Sequence, residues 1–264
     1  MLKTILLAAT VCPLLCVRAA TILPIGPITF STNADYDSKF KESVFDTGNT
    51  RNPSGYVQVQ GFQFGPAIFD TSASGGLNGF GGTAGNDANN DLSNFTISAD
   101  LATSEAGLFG GGFLLRLDNA EANGYFAAFL SASENSVEFS LFEGAGLLTG
   151  YGTNIFSIIV PMSGVSFAIN TFYPFKVTAN NGTFSFDFAA GAAKASFTDT
   201  TLSATTGQVG FVLTTASPAA ATRLDNFAIV PEPSVTSLVL FAAAALPFRS
   251  IRRRHCTKTF RGIC

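Results

Sequence analysis

Apolar and polar residues alternate along most of this chain, and the alternation has a period of two. Tyr56-Val57-Gln58-Val59-Gln60, Asn94-Phe95-Thr96-Ile97-Ser98, Ser136–Leu141 and Thr183–Phe188 are clear cases. Such runs turn one side chain into a core and the next into water, the pattern of a half-buried strand. Further strands are predicted over 112–117, 124–130, 153–160, 172–178, 207–214 and 224–230, separated by Gly, Asn, Asp and Pro. No amphipathic helix interrupts them between residues 20 and 230, so about a dozen strands predict an antiparallel β-sandwich. Phenylalanine fills many of the alternate positions, with 27 Phe and no Trp in the chain. Packing between two sheets is the expected role of those rings.

The pattern changes at both ends, where apolar residues run together. Lys3 precedes an apolar stretch over 5–17 and the small residues Ala19 and Ala20, the three parts of a secretory signal, with cleavage expected after Ala19. At the other end Val230-Pro231-Glu232-Pro233-Ser234 leads into an apolar run over 235–248, then Arg252-Arg253-Arg254. That run is shorter than the roughly 20 residues of a comfortable transmembrane helix. It reads as a short stop-transfer segment whose arginines stay cytoplasmic. The expected organisation is a signal peptide (1–19), a sandwich (20–230), a sorting and membrane segment (231–255) and a cytoplasmic tail (256–264).

Charge and cysteine usage fit export. Between residues 20 and 230 seven Lys and Arg stand against seventeen carboxylates, a net charge of −10, which argues against nucleic acid as a partner. The four cysteines, Cys12, Cys16, Cys256 and Cys264, all lie in the terminal segments, so the body has no disulfide and is held by its core. His255 is the single histidine and sits in the tail. Ser-His-Asp and Cys-His catalysis and histidine-held zinc are thereby excluded from the body. A two-carboxylate glycosidase needs no histidine. Glu134 and Glu138 share a strand face but lack an intervening acid, and Glu138 is expected to face solvent opposite Val137 and Phe139. Non-catalytic sugar binding would use Tyr36, Tyr56, Tyr125, Tyr151 or Tyr173 as a platform, each more readily placed at the core edge. Asp87-Ala88-Asn89-Asn90-Asp91 opens like a calcium loop, but Leu92 and Ser98 stand where Gly and Glu are needed. The segment 72–91 is read as a Gly/Asn loop. Asn94 and Asn181 head Asn-x-Thr triplets, and 198–206 is a hydroxyl-rich solvent-facing stretch.

Pro231, Glu232, Pro233 and Ser234, the apolar run and the Arg252–Arg254 cluster together resemble the PEP-CTERM sorting signal of bacterial exported proteins. The resemblance implies processing by exosortase, a membrane-embedded protease-transpeptidase, with delivery to a cell surface or exopolysaccharide matrix. A Pro-rich linker to a simple tail anchor is the alternative. The pair 112–118 and 123–129, with 175–178, 207–211 and the closing Leu224-Asp225-Asn226-Phe227, is similar to laminin-G-like and concanavalin-like jelly rolls. That likeness implies a jelly-roll sandwich and places Asp225 where some such domains hold a structural calcium, with Asp35 or Asp37 as companions. An Asp225 that caps a turn or pairs with Arg223 is the plainer role. The combined expectation is an all-β jelly-roll sandwich flanked by a signal helix and a membrane helix. It is exported, non-catalytic and associated with exopolysaccharide. The alternatives are a carbohydrate-binding module or a cryptic glycosidase.

Overall fold

A computed structural model describes residues 25–32, 35–36, 39–42, 50–52, 55–60, 64–69, 92–104, 109–118, 123–144, 147, 152–215 and 220–232. Its strands, numbered in chain order, form two antiparallel sheets. The first runs β13 (Ala193–Thr198), β12 (Thr183–Phe188), β11 (Tyr173–Asn180), β6 (Phe95–Thr103), β15 (Ala221–Pro231), β4 (Tyr56–Gln60) and β3 (Thr50–Asn52); β1 (Ile25–Ile28) lies against the end of β15. The second runs β10 (Thr153–Pro161), β9 (Ser136–Glu143), β8 (Tyr125–Ser133), β7 (Phe109–Leu117), β14 (Gln208–Thr215), β5 (Phe64–Phe69) and β2 (Phe40–Glu42). The antiparallel sandwich predicted from alternation is what the chain forms. Among the described residues no helix is long and apolar enough to cross a membrane. The predicted signal segment, apolar run and arginine cluster lie outside the described residues.

Inward alternation builds the core. In β11 Tyr173, Phe175, Val177 and Ala179 are buried while Pro174, Lys176 and Asn180 are exposed. From the second sheet, Phe113, Phe129 and Phe139 meet Phe175, with the Phe113 and Phe175 rings stacked at 5.1 Å. Each such ring contributes about 1.5–3 kcal/mol by leaving water, which is how a body without disulfides holds together. Asn181-Gly182 supplies the two left-handed residues of the β11–β12 hairpin, at φ 46° and 89°. Asn181 also meets the other Asn-x-Thr asparagine: its N–H donates to Asn94 Oδ1 at 2.9 Å.

Two polar fixtures cross this core. Arg116 sits in a bulge of β7 at φ 53° and is 1 % exposed. Its Nε and Nη2 donate to the Ser93 carbonyl at 3.0 and 2.6 Å, and its guanidinium lies 5.4 Å from the Phe184 ring centre. Burial pulls its pKa down. Tyr125 donates to Asp199 Oδ2 at 2.7 Å and accepts the Ser203 N–H at 2.9 Å. The stretch 198–206, expected to face solvent, therefore sends Asp199 inward to tie β8 to the β13–β14 connection.

Candidate functional site

The outer face of the second sheet carries a groove made by residue size. Across the strands, Val212, Gly112, Ala128, Ser140 and Ser157 stand opposite one another in register. Four of the five are glycine, alanine or serine, the smallest side chains a strand can carry. At Gly112 a Cβ would fall 2.1 Å from the Ala127 carbonyl oxygen and 2.8 Å from the Ala128 Cα, so β7 and β8 approach as only glycine permits. One wall is apolar: Phe126 and Phe142, opposite each other on β8 and β9, stack at 5.9 Å beside Leu114. Leu147, from the β9–β10 connection, packs into the same cluster. The other wall is the neighbouring row, Thr214, Gly110, Leu130, Glu138 and Ile159. Within it a cavity of about 250 Å³ is lined by Ala128, Leu130, Glu138, Ser140, Phe142 and Thr214 among others.

Glu138 points into this groove from β9. Ser157 Oγ donates to its Oε1, as does Ser140 Oγ at 3.2 Å. The hydroxyls hold the carboxylate beside the small-residue floor. Glu138 is the one carboxylate among the described residues that line the groove. A two-carboxylate glycosidase site is not assembled from them. Glu134, its partner in the sequence reading, lies in the exposed β8–β9 turn, where its carbonyl accepts the Phe167 N–H.

The outer face of the first sheet holds a second, more polar depression of about 340 Å³, bordered by Ser98, Asp100, Lys176, Asp187 and Asn226. Asp187 sits 3.6 Å from both Lys176 and Lys194. Asp225 stands opposite Asp100 in the β6–β15 pair. Burial raises the Asp225 carboxyl above its ordinary range and the charge of Asp100 adds to that, against the bond from the Asn226 N–H. Asn226, at φ 53° in the bulge, donates to Asp100 Oδ2 at 2.7 Å.

The predicted companion Asp35 instead closes its own turn. It accepts the Thr32 N–H at 2.9 Å and lies 3.7 Å from Lys39. Asp37 is outside the described residues. Two carboxylates fall short of the six to eight oxygens calcium takes, and among the described residues no group of three or more metal-ligating side chains occurs. Arg223 turns away from Asp225: it donates to Asn170 Oδ1 at 2.6 Å and lies over the Tyr56 ring at 4.9 Å.

Among the described tyrosines the core-edge role, the plainer one, is the one found. Tyr36, Tyr125 and Tyr173 are buried, Arg223 lies over Tyr56, and Tyr151 is outside the described residues. The aromatic side of the groove comes from Phe142, which is half-buried, beside the buried Phe126. The run Phe109-Gly110-Gly111-Gly112 ahead of two strands with small outer residues was the available signal.

At the Pro-Glu-Pro segment, β15 ends in Pro231 and the Glu232 N–H donates to the Asn94 carbonyl at 2.9 Å. Glu232 Oε1 accepts a hydrogen bond from Thr96 Oγ1 at 2.9 Å. Pro233, Ser234 and Arg252–Arg254 lie outside the described residues.

Neither a protein-family model nor a curated protein matches the sequence. Solved structures do resemble the fold. The carbohydrate recognition domain of Emp46p, in a potassium-bound form, aligns over 80% of this chain and 97% of its own at 9% identity and a TM-score of 0.51. A β-glucanase from Bacillus licheniformis aligns over 80% and 98% at 10% identity and a TM-score of 0.50. The carbohydrate-binding module CBM66 from Bacillus subtilis aligns over 73% and 96% at 15% identity, with a TM-score of 0.48. At these identities the likeness is one of fold.

Proposed function

We propose that this chain is an exported, non-catalytic glycan-binding protein that holds a polysaccharide in the groove across β7, β8 and β9. The observation that carries the reading is the groove's division into an aromatic side, the half-buried Phe142 beside the buried Phe126, and a side holding Glu138 and Thr214 with Leu130, above a floor of Ala128 and Ser140. A sugar ring has an apolar C–H face and a rim of hydroxyls, and it matches such a pair of walls. Pockets of this kind bind through apolar lining with a few placed polar groups. The jelly-roll likeness to a glucanase and to a carbohydrate recognition domain is compatible with this use of the sheet, but the groove is the argument. A single lining carboxylate favours binding over hydrolysis.

The test is retardation in native gels cast with soluble polysaccharides, neutral and acidic. Wild-type protein should be slowed by at least one, and Ser140→Leu, which fills the floor, should lose about tenfold or more in affinity while keeping its fold. Mobility unchanged in every gel, or equal for the two proteins, would overturn the reading.

The sorting reading rests on the sequence and is proposed with it: the Pro-Glu-Pro segment delivers the sandwich to the cell surface through an exosortase. Replacing Pro231, Glu232 and Pro233 with alanine should leave the chain at its unprocessed mass in the native host. Unchanged processing of that variant would sink the assignment.

A further inference from the structure

The side of the sandwich closed by β10 and β13 is left open. Phe156, Ile158 and Val160 lie in register with the fully buried Leu141, Phe139 and Val137, on the core-facing side of the sheet. Ile158 is nonetheless 43 % exposed. Ile159, on the outer face opposite Glu138, is 61 % exposed. Beneath them Phe197 of β13 is half-buried and stacks on Phe156 at 5.0 Å. Among the described residues β10 pairs only with β9, so its second backbone edge has no strand partner.

Edge strands in soluble monomers are guarded by charges, prolines or bulges. In β10 the register irregularity falls at Asn154–Phe156 and the proline at Pro161, both near its ends. The stretch Phe156-Ser157-Ile158-Ile159-Val160 carries neither charge nor proline.

We propose that a second copy of this chain occupies the edge, through antiparallel pairing of β10 with β10 about a two-fold axis at Ile158. Residues opposed in such a pair share a sheet face. Ile158 then meets Ile158 of the second copy, Phe156 meets Val160, Val160 meets Phe156, and Ser157 meets Ile159. The strand is complementary to itself in that register, as an isologous interface requires. Charge points to the same place. Two bodies of net charge −10 repel, and an uncharged strand is where they touch at least electrostatic cost, so added salt strengthens the association. Because Ser157 ends the groove's floor row, the pairing also sets the two grooves in line across one continuous sheet. That consequence rests on the glycan reading; the pairing does not.

The experiment uses the full chain in detergent micelles with its four cysteines replaced by serine, giving a thiol-free background. Ile158→Cys should form a disulfide-linked dimer under mild oxidation at least about tenfold more than Ile169→Cys, whose parent side chain is 50 % exposed in the β10–β11 connection. In sedimentation, the double variant Ile158→Lys, Ile159→Lys should shift the wild-type dimer to monomer with unchanged near-ultraviolet circular dichroism. Both measurements are made without polysaccharide, so loss of glycan binding and loss of pairing are read separately. A wild-type monomer at all concentrations, equal cross-linking at 158 and 169, or an Ile158→Cys thiol shielded inside a monomer by another segment of the chain would overturn the proposal.

Discussion

The two outer faces of this sandwich are built from the same alternation and end as different surfaces. On the first sheet the outward positions are Ser98, Asp100, Lys176, Asp187 and Lys194, charges of both signs that neutralise one another over a polar depression. On the second they are Gly112, Ala128 and Ser140, flanked by Phe126 and Phe142, with Glu138 as the one described lining carboxylate. The inward faces do not differ in kind, since both are phenylalanine-rich and buried. Side-chain size, more than charge, separates a solvated face from a grooved one here. A row of very small residues lets neighbouring strands close up and leaves a channel between larger side chains.

The strongest way to break the comparison is to restore a side chain to the floor. Gly112→Val should destabilise the protein by about 3 kcal/mol, the upper end of the usual cost of overpacking, because the intruding carbon meets backbone. Unfolding should begin roughly 6–12 °C lower in a domain of this size. A valine tolerated without loss would show that the strands do not need the close approach.

A smaller effect comes from acid, and it should carry opposite signs in two places. Burial pushes the Asp199 carboxyl up, but the bonds from Thr201, Tyr125 and the backbone N–H groups of Thr201 and Leu202 outweigh it and hold it below 3.8. Its contribution is therefore complete above pH 3.8 and is lost as pH falls through the lowered value. Asp225 is raised, so its ionised form weighs against folding at neutral pH, and that penalty is relieved as pH falls through the raised value towards 3.8. Thermal melts from pH 7 to pH 3 should show Asp199→Asn less stable than wild type at pH 7 and Asp225→Asn more stable. The same sign for both would contradict the assignment.

The smallest effect belongs to the charged face. Asp187→Ala should change stability by less than about 1 kcal/mol, as expected of an ion pair in contact with water, and should leave retention in polysaccharide gels untouched. Weakened retention in that variant would move the site to the first sheet.

Much of the fold was legible. Alternation located β4, β6, β9, β11 and β12 because each has one wet face and one dry one, and β12 was predicted at its observed limits. The strands missed have weaker patterns: β5 contains Gly65-Pro66, β13 is alanine-rich, β1 is four residues long, and β2 and β3 are three. The groove was not legible, because Gly112, Ala128, Ser140 and Ser157 are far apart in the chain and meet only through strand register. Arg116 falls within the predicted strand 112–117, but nothing local in the sequence shows that a bulge turns it inward. The tyrosines of the core edge, Tyr36, Tyr125 and Tyr173, are buried, and the aromatic residue left half-buried at the groove is Phe142.

The most direct test of the central claim is a hydrogen-exchange footprint of the protein with a polysaccharide that retards it in gels. Slowed exchange over β7, β8 and β9, with β6, β11 and β12 unchanged, is the result expected. Protection confined to the first sheet, or none on either, would contradict the assignment of the groove.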